Sequence, residues 1–147
     1  MQPGKPKPIL KPTLDTQFHI DYGWWDRENQ DLRSYMLTHL PADLRETFDE
    51  ADDEERIIDY IDPETGEVFQ LDALGTAIRE AAKREDFINP QTSLVDSVFR
   101  VFLANGNTPR TPRELEAETG RDARTILKTF GGIRVYRGIR PIHTNDN

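Results

Sequence analysis

The chain has 147 residues, no cysteine and a formal net charge of −8, with 35% hydrophobic and 31% charged residues. Without cysteine, disulfides, thiolate metal sites and cysteine nucleophiles are excluded. No apolar run approaches the roughly 18 residues needed to cross a bilayer, and the polar balance places part of the chain outside any packed core.

The absence of cysteine favours a reducing, cytoplasmic setting, and the start MQPGKPKPILKPT has no apolar stretch of the kind a signal peptide carries. Charge is unevenly divided. Residues 1–90 hold 10 Lys and Arg against 21 Asp and Glu, a net of −11, whereas residues 91–147 hold 9 against 6, a net of +3. Such a contrast bears on partners more than the total does. The plain alternative is that the acids keep the chain soluble and the C-terminal arginines are ordinary surface.

Three segments are expected: an extended Pro/Lys-rich tail over 1–13, an acidic helical and hairpin region over 14–90, and a basic region over 91–147. Pro3, Pro6, Pro8 and Pro12 deny the tail regular hydrogen bonding. Residues 14–23 alternate and predict a short strand or extended lead-in. A helix is predicted over 24–40, with Trp25, Leu32, Tyr35, Met36, His39 and Leu40 as its buried stripe. Pro41 stops it, and Leu44 and Phe48 suggest one more short helical piece. Residues 46–55 hold seven acids. They lack the ligand alternation of a calcium loop, so they read as a solvated helix end, or as an electrostatic decoy for the basic C-terminal region. Two β-prone runs around Asp62-Pro63-Glu64-Thr65-Gly66 predict a hairpin. Helices are predicted over 72–84, with Leu74, Ile78, Ala81 and Ala82 inward, and over 94–105, where Ser93 and Asp96 form the start of the central core helix.

Residues 107–142 carry the densest signal. Thr111-Pro112-Arg113-Glu114 is a capped helix start with proline in the first turn. Gly120 supplies the freedom for a sharp turn, and Asp122 caps a second helix whose Ile126, Leu127 and Phe130 face inward. Gly131-Gly132 ends it. Two runs around Arg137-Gly138 then predict a hairpin over 133–142. Val95, Phe99, Phe102, Leu115, Ile126, Leu127 and Phe130 are expected to form one buried cluster.

This order of elements from about Ser93 to Ile142, roughly a third of the chain, resembles the winged helix-turn-helix superfamily. The fold expectation is therefore α+β, mostly helical, with a β-hairpin in the middle and a C-terminal winged helix-turn-helix. One position departs from the pattern. Glu116 stands where the superfamily usually has a small residue, which predicts a looser or rotated helix crossing. The resemblance implies a second helix that enters the major groove of double-stranded DNA and a wing that touches the backbone. It assigns Arg121, Arg124, Thr125 and Lys128 to the helix, and Arg134, Arg137 and Arg140 to the wing. The bland alternative makes these solvated cations, some paired with Glu114, Glu116 and Glu118.

Other constellations are thinner. His19, Asp21, Asp26 and Glu28 repeat no ligand spacing, so no metal is assigned, and no cofactor motif appears. No nucleophile–base ordering, phosphate loop or dinucleotide fingerprint points to an enzyme. Trp24 and Trp25 are the only tryptophans. They form a candidate partner-binding pair beside the acidic region, unless both pack beneath the proline arm. The leading expectation is a DNA-binding regulator or accessory factor. The alternative is a non-catalytic protein-interaction adaptor or complex subunit that uses the winged helix as scaffold and whose acidic N-terminal region meets a basic protein partner. A basic, unpaired face favours the first, and arginines tied up within the molecule favour the second.

Overall fold

The computed structural model describes residues 11–50, 57–61, 66 and 68–142. In chain order its elements are β1 (Phe18–Ile20), α1 (Tyr22–Arg27), α2 (Leu32–Leu37), α3 (Ala42–Glu50), β2 (Ile57–Ile61), β3 (Val68–Asp72), α4 (Ala73–Ala82), α5 (Leu94–Ala104), α6 (Pro112–Thr119), α7 (Ala123–Phe130) and β4 (Ile139–Pro141). The class is α+β: helices dominate, and the strands pair antiparallel as β1–β4 and β2–β3. No described helix is long and apolar enough to cross a membrane. The tail up to residue 10, the acids at 52–55 and the turn at 62–65 lie outside the described residues.

The single helix expected over 24–40 is two helices. Asp21 and Asp31 each take extended backbone and accept an amide of the following turn, Gly23 N–H and Ser34 N–H at 3.1 Å each. Each aspartate therefore starts its own helix. Between them Asn29 adopts φ 53°, a left-handed conformation that asparagine tolerates and a continuing helix does not. The stripe survives the break. Trp25, Tyr35, His39 and Leu40 are buried, and Leu32 and Met36 pack partly against them. Arg45 of α3 then donates to the carbonyls of Leu37, Thr38 and Leu40 at 3.2, 3.3 and 3.0 Å. It thereby satisfies acceptors that the end of α2 leaves open.

β2 and β3 form the middle hairpin, in register from Ile57↔Asp72 to Ile61↔Val68. α4 buries Leu74, Ile78 and Ala81, with Ala82 partly covered. Arg84 beyond α4 grips Asp43 of α3 through two bonds of 3.0 and 2.8 Å. α5 is the central helix: Ser93 Oγ caps it by accepting from Asp96 N–H at 3.2 Å, and Val98, Phe99 and Phe102 are wholly buried. One hydrophobic cluster joins Phe18, Trp25 and Tyr35 to Phe99, Leu115, Ile126 and Phe130, so the core runs across the boundary expected near residue 90. Val95 and Leu127 pack only partly against it.

The C-terminal hairpin expected over 133–142 does not form as a ladder of its own. Its turn exists: Arg137 (φ 54°) and Gly138 (φ 76°) both have positive φ, and Ile139 N–H donates to Tyr136 O at 3.0 Å. Two consecutive positive φ values are what a two-residue hairpin turn of type I′ requires. Beyond that bridge, however, the strand leaving the turn pairs with the N-terminal strand, Phe18↔Pro141, His19↔Arg140 and Ile20↔Ile139. An isolated two-stranded ribbon is marginal in water, and here the pairing buries Phe18, Ile20 and Ile139, each 1% exposed. On one edge of β1, Asp21 N–H donates to Gly138 O at 2.7 Å and Ile142 N–H to Gln17 O at 2.8 Å. On the other, Phe18 exchanges both backbone bonds with Arg110, at 2.8 and 3.0 Å, and the Asn107 side-chain amide takes the N–H and C=O of Ile20 at 2.8 and 2.9 Å. β1 is thus inserted between the α5–α6 connection and β4. The turn lies so close on α1 that a β-carbon at Gly138 would stand 2.8 Å from Trp25 Nε1.

Candidate functional site

The α6–turn–α7 unit is built as its sequence dictates. Thr111 Oγ1 accepts from Glu114 N–H while Glu114 Oε1 accepts from Thr111 N–H, a reciprocal capping box with Pro112 in the first turn. Gly120 ends α6 with φ 74°, and Asp122 caps α7 by accepting from Thr125 N–H at 3.0 Å. Glu116, the departure from the helix-turn-helix pattern, is exposed. Its Oε1 accepts from Ala123 N–H at 2.9 Å and so braces the start of α7 from outside. Ala123 itself is 5% exposed.

The cations assigned to a nucleic-acid face are mostly engaged elsewhere. Arg121 donates to the carbonyls of Pro90, at 3.0 Å, and Thr92, fixing the α4–α5 connection. Thr125 spends its hydroxyl on Asp122 at 3.1 Å. Arg134 lies over the Tyr136 ring at 5.1 Å and Arg137 over the Tyr35 ring at 4.2 Å. Arg140 donates to Asp21 Oδ2 at 3.3 Å. Burial pushes the Asp21 carboxyl up, but Arg27 and Arg140 outweigh it and hold its pKa below the ordinary value. Arg110 pairs with Glu118 at 3.0 Å and Arg113 with Asp15 at 3.1 Å. Arg124 and Lys128 are exposed and make no hydrogen bond or ion pair with a described residue.

The tryptophans divide. Trp25 is 2% exposed and stacks on Tyr35 with centroids 5.3 Å apart, so it belongs to the core and not to a partner surface. Trp24 is half-buried and meets the edge of Trp25 at 5.3 Å.

Behind the Arg137 turn lies a polar network that the sequence reading did not assemble. Tyr35 Oη donates to Asp96 Oδ1, and burial together with that acceptor pushes the phenol pKa up. Arg100 Nε donates to His39 Nδ1 at 3.0 Å, and Arg100 Nη1 donates to Phe87 O at 2.7 Å. An imidazole accepting at Nδ1 is neutral and carries its proton on Nε2. That buried Nε2 has no hydrogen-bond partner: the nearest carboxylate oxygen, Asp96 Oδ1, is 3.9 Å away. Burial drives His39 down to about 4, with Arg100 and Arg137 acting in the same direction and Asp96 opposing. A sequence signal existed: Tyr35/His39 and Asp96/Arg100 are two polar pairs spaced i, i+4 within apolar stripes.

Among the described residues no three His, Asp or Glu side chains cluster as a metal would require. Four arginines, Arg100, Arg113, Arg137 and Arg140, thus reach described residues of the N-terminal part, whereas Arg124 and Lys128 on α7 do not. No protein-family model, curated protein or solved structure matches the chain.

Proposed function

We propose that this chain is a non-catalytic protein-interaction module in which the α6–turn–α7 unit serves as scaffold. One observation carries the reading: of the nine basic residues in 91–147, five are held by hydrogen bonds or ion pairs and two more lie over tyrosine rings. A protein that neutralises duplex phosphates needs several unpaired cations on one face. Here Arg124 and Lys128 make no hydrogen bond or ion pair with a described residue and Arg134 and Arg137 keep their charge over tyrosine rings, a small set on a molecule with net charge −8, whose field repels a polyanion. The pairing of β4 with β1 turns the would-be wing back onto the molecule.

Binding to double-stranded DNA is the second reading. What favours it is the placement of Arg124 and Lys128, unpaired and one turn apart on the exposed side of α7. Anisotropy titration of random duplex DNA with the full chain at two salt concentrations separates the two. The module reading predicts no salt-sensitive binding at micromolar protein. Binding that weakens steeply with salt and is lost in Arg124→Ala/Lys128→Ala would replace it with the DNA reading.

A further inference from the structure

We propose that the outer side of α7 and the loop that follows it form a docking surface for an acidic protein segment that carries apolar side chains, a proposal that rests on the interaction-module reading. Arg124, Lys128, Ile133 and Arg134 make up the surface, and all four are exposed. Gly131 N–H closes on Leu127 O at 2.7 Å, and a β-carbon at Gly132 would lie 3.7 Å from the Lys128 carbonyl. The chain therefore turns against the last turn of α7, with Pro12 close to Gly131, and Ile133 and Arg134 follow directly from that turn.

Ile133 is fully exposed. A lone exposed isoleucine would mean little, but this one projects from the patch where the chain leaves cations free. Arg124 and Lys128 have no partner among the described residues, and Arg134 has only the Tyr136 ring. The two carboxylates at the start of the same helix, Asp122 and Glu116 of α6, keep their charge but are turned to the amides of Thr125 and Ala123, at the end of α7 away from Lys128 and Ile133. The result is a small basic patch around an apolar knob on an acidic molecule.

Two features of that patch select the partner. A phosphate backbone supplies charge but no apolar surface for an isoleucine, whereas an acidic peptide with leucine-like side chains supplies both. A short peptide also senses the local patch more than the distant acids, because screening limits the range of charge to about 8 Å at physiological salt. An apolar anchor within a charged rim is the usual arrangement of a protein interface.

The test uses three labelled probes against the full chain: a peptide of alternating glutamate and leucine, poly-glutamate of equal length, and random duplex DNA. The Glu/Leu peptide is expected to bind saturably and more tightly than poly-glutamate. Ile133→Ser should weaken it about tenfold, the loss expected when a buried aliphatic contact is removed. Arg124→Ala/Lys128→Ala should weaken it and flatten its salt dependence. All these positions are exposed, so circular dichroism should show the variants folded. Absence of peptide binding, or equal binding by Ile133→Ser, would overturn the docking surface and leave the module reading standing. Tighter binding of duplex DNA through Arg124 and Lys128 would overturn both. Self-association on sedimentation that Ile133→Ser abolishes would overturn the proposal in favour of a second copy as occupant.

Discussion

His39 makes the stability of this protein depend on pH between about 4 and 6.5. Its imidazole is 2% exposed, accepts a hydrogen bond from Arg100, and is faced by Asp96, Tyr35 and Arg137. Protonation would convert Nδ1 into a donor aimed at a guanidinium and add a third cation beside Arg100 and Arg137. The folded pKa is held at about 4 against an ordinary 6.5, so between these values the unfolded chain binds more protons than the folded one. Stability is then fully present above pH 6.5 and is lost as pH falls toward 4. A difference of that size corresponds to about 3 kcal/mol across the window, with a slope no steeper than about 1.4 kcal/mol per pH unit. Urea unfolding followed by tryptophan fluorescence from pH 4.5 to 7.5 measures it. His39→Gln, whose amide oxygen can still accept from Arg100, should remove most of the slope. Equal slopes in the wild type and His39→Gln would refute the reasoning, as would an NMR titration placing the folded His39 midpoint near 6.5.

Three further predictions concern the packing around the turn. Gly138→Ala should cost more than about 2 kcal/mol, because the added carbon would stand 2.8 Å from Trp25 Nε1 and 3.0 Å from Asp21 O at a φ of 76°; an unchanged urea midpoint would contradict the turn's placement. Asp21→Ala should lose about 1–2 kcal/mol, mainly the α1 cap, whereas Asp21→Asn keeps the cap and loses only the partly exposed pairs with Arg27 and Arg140, worth less than about 1 kcal/mol; equal costs in denaturation would show that the pairs dominate. Trp25→Ala should cost about 3–5 kcal/mol as a core truncation, while Trp24→Ala should leave the far-ultraviolet circular dichroism spectrum unchanged.

What the sequence made legible was mostly local chemistry. Ser93, Thr111 and Asp122 mark helix starts because a cap involves only its own next three residues. The hairpin of β2 and β3 was readable for the same reason. Asp31 and Ser34 carried an equally local signal, which the apolar stripe over 24–40 obscured, because that stripe continues through the break at Asn29. The β1–β4 pairing was not legible: nothing near Ile139 indicates that its partner is Ile20, and the burial that decides the pairing is assembled from Trp25, Phe99 and Ile126 as well. The fate of the arginines follows from it. Their number and position are plain in the sequence, but Arg140 meets Asp21 across 119 positions, and Arg121 meets carbonyls that no side-chain pattern records. His39 was readable as buried, but its partner Arg100 was not.

The functional reading depends on β4 being committed to β1, with Arg137 and Arg140 turned toward Tyr35 and Asp21. Amide hydrogen exchange on the full chain tests this most directly. The Asp21 amide, donating to Gly138 O at 2.7 Å, and the Ile142 amide, donating to Gln17 O at 2.8 Å, should be strongly protected. Fast exchange at both, with cross-strand contacts confined to residues 133–142, would show a free wing whose arginines face solvent and would contradict the account.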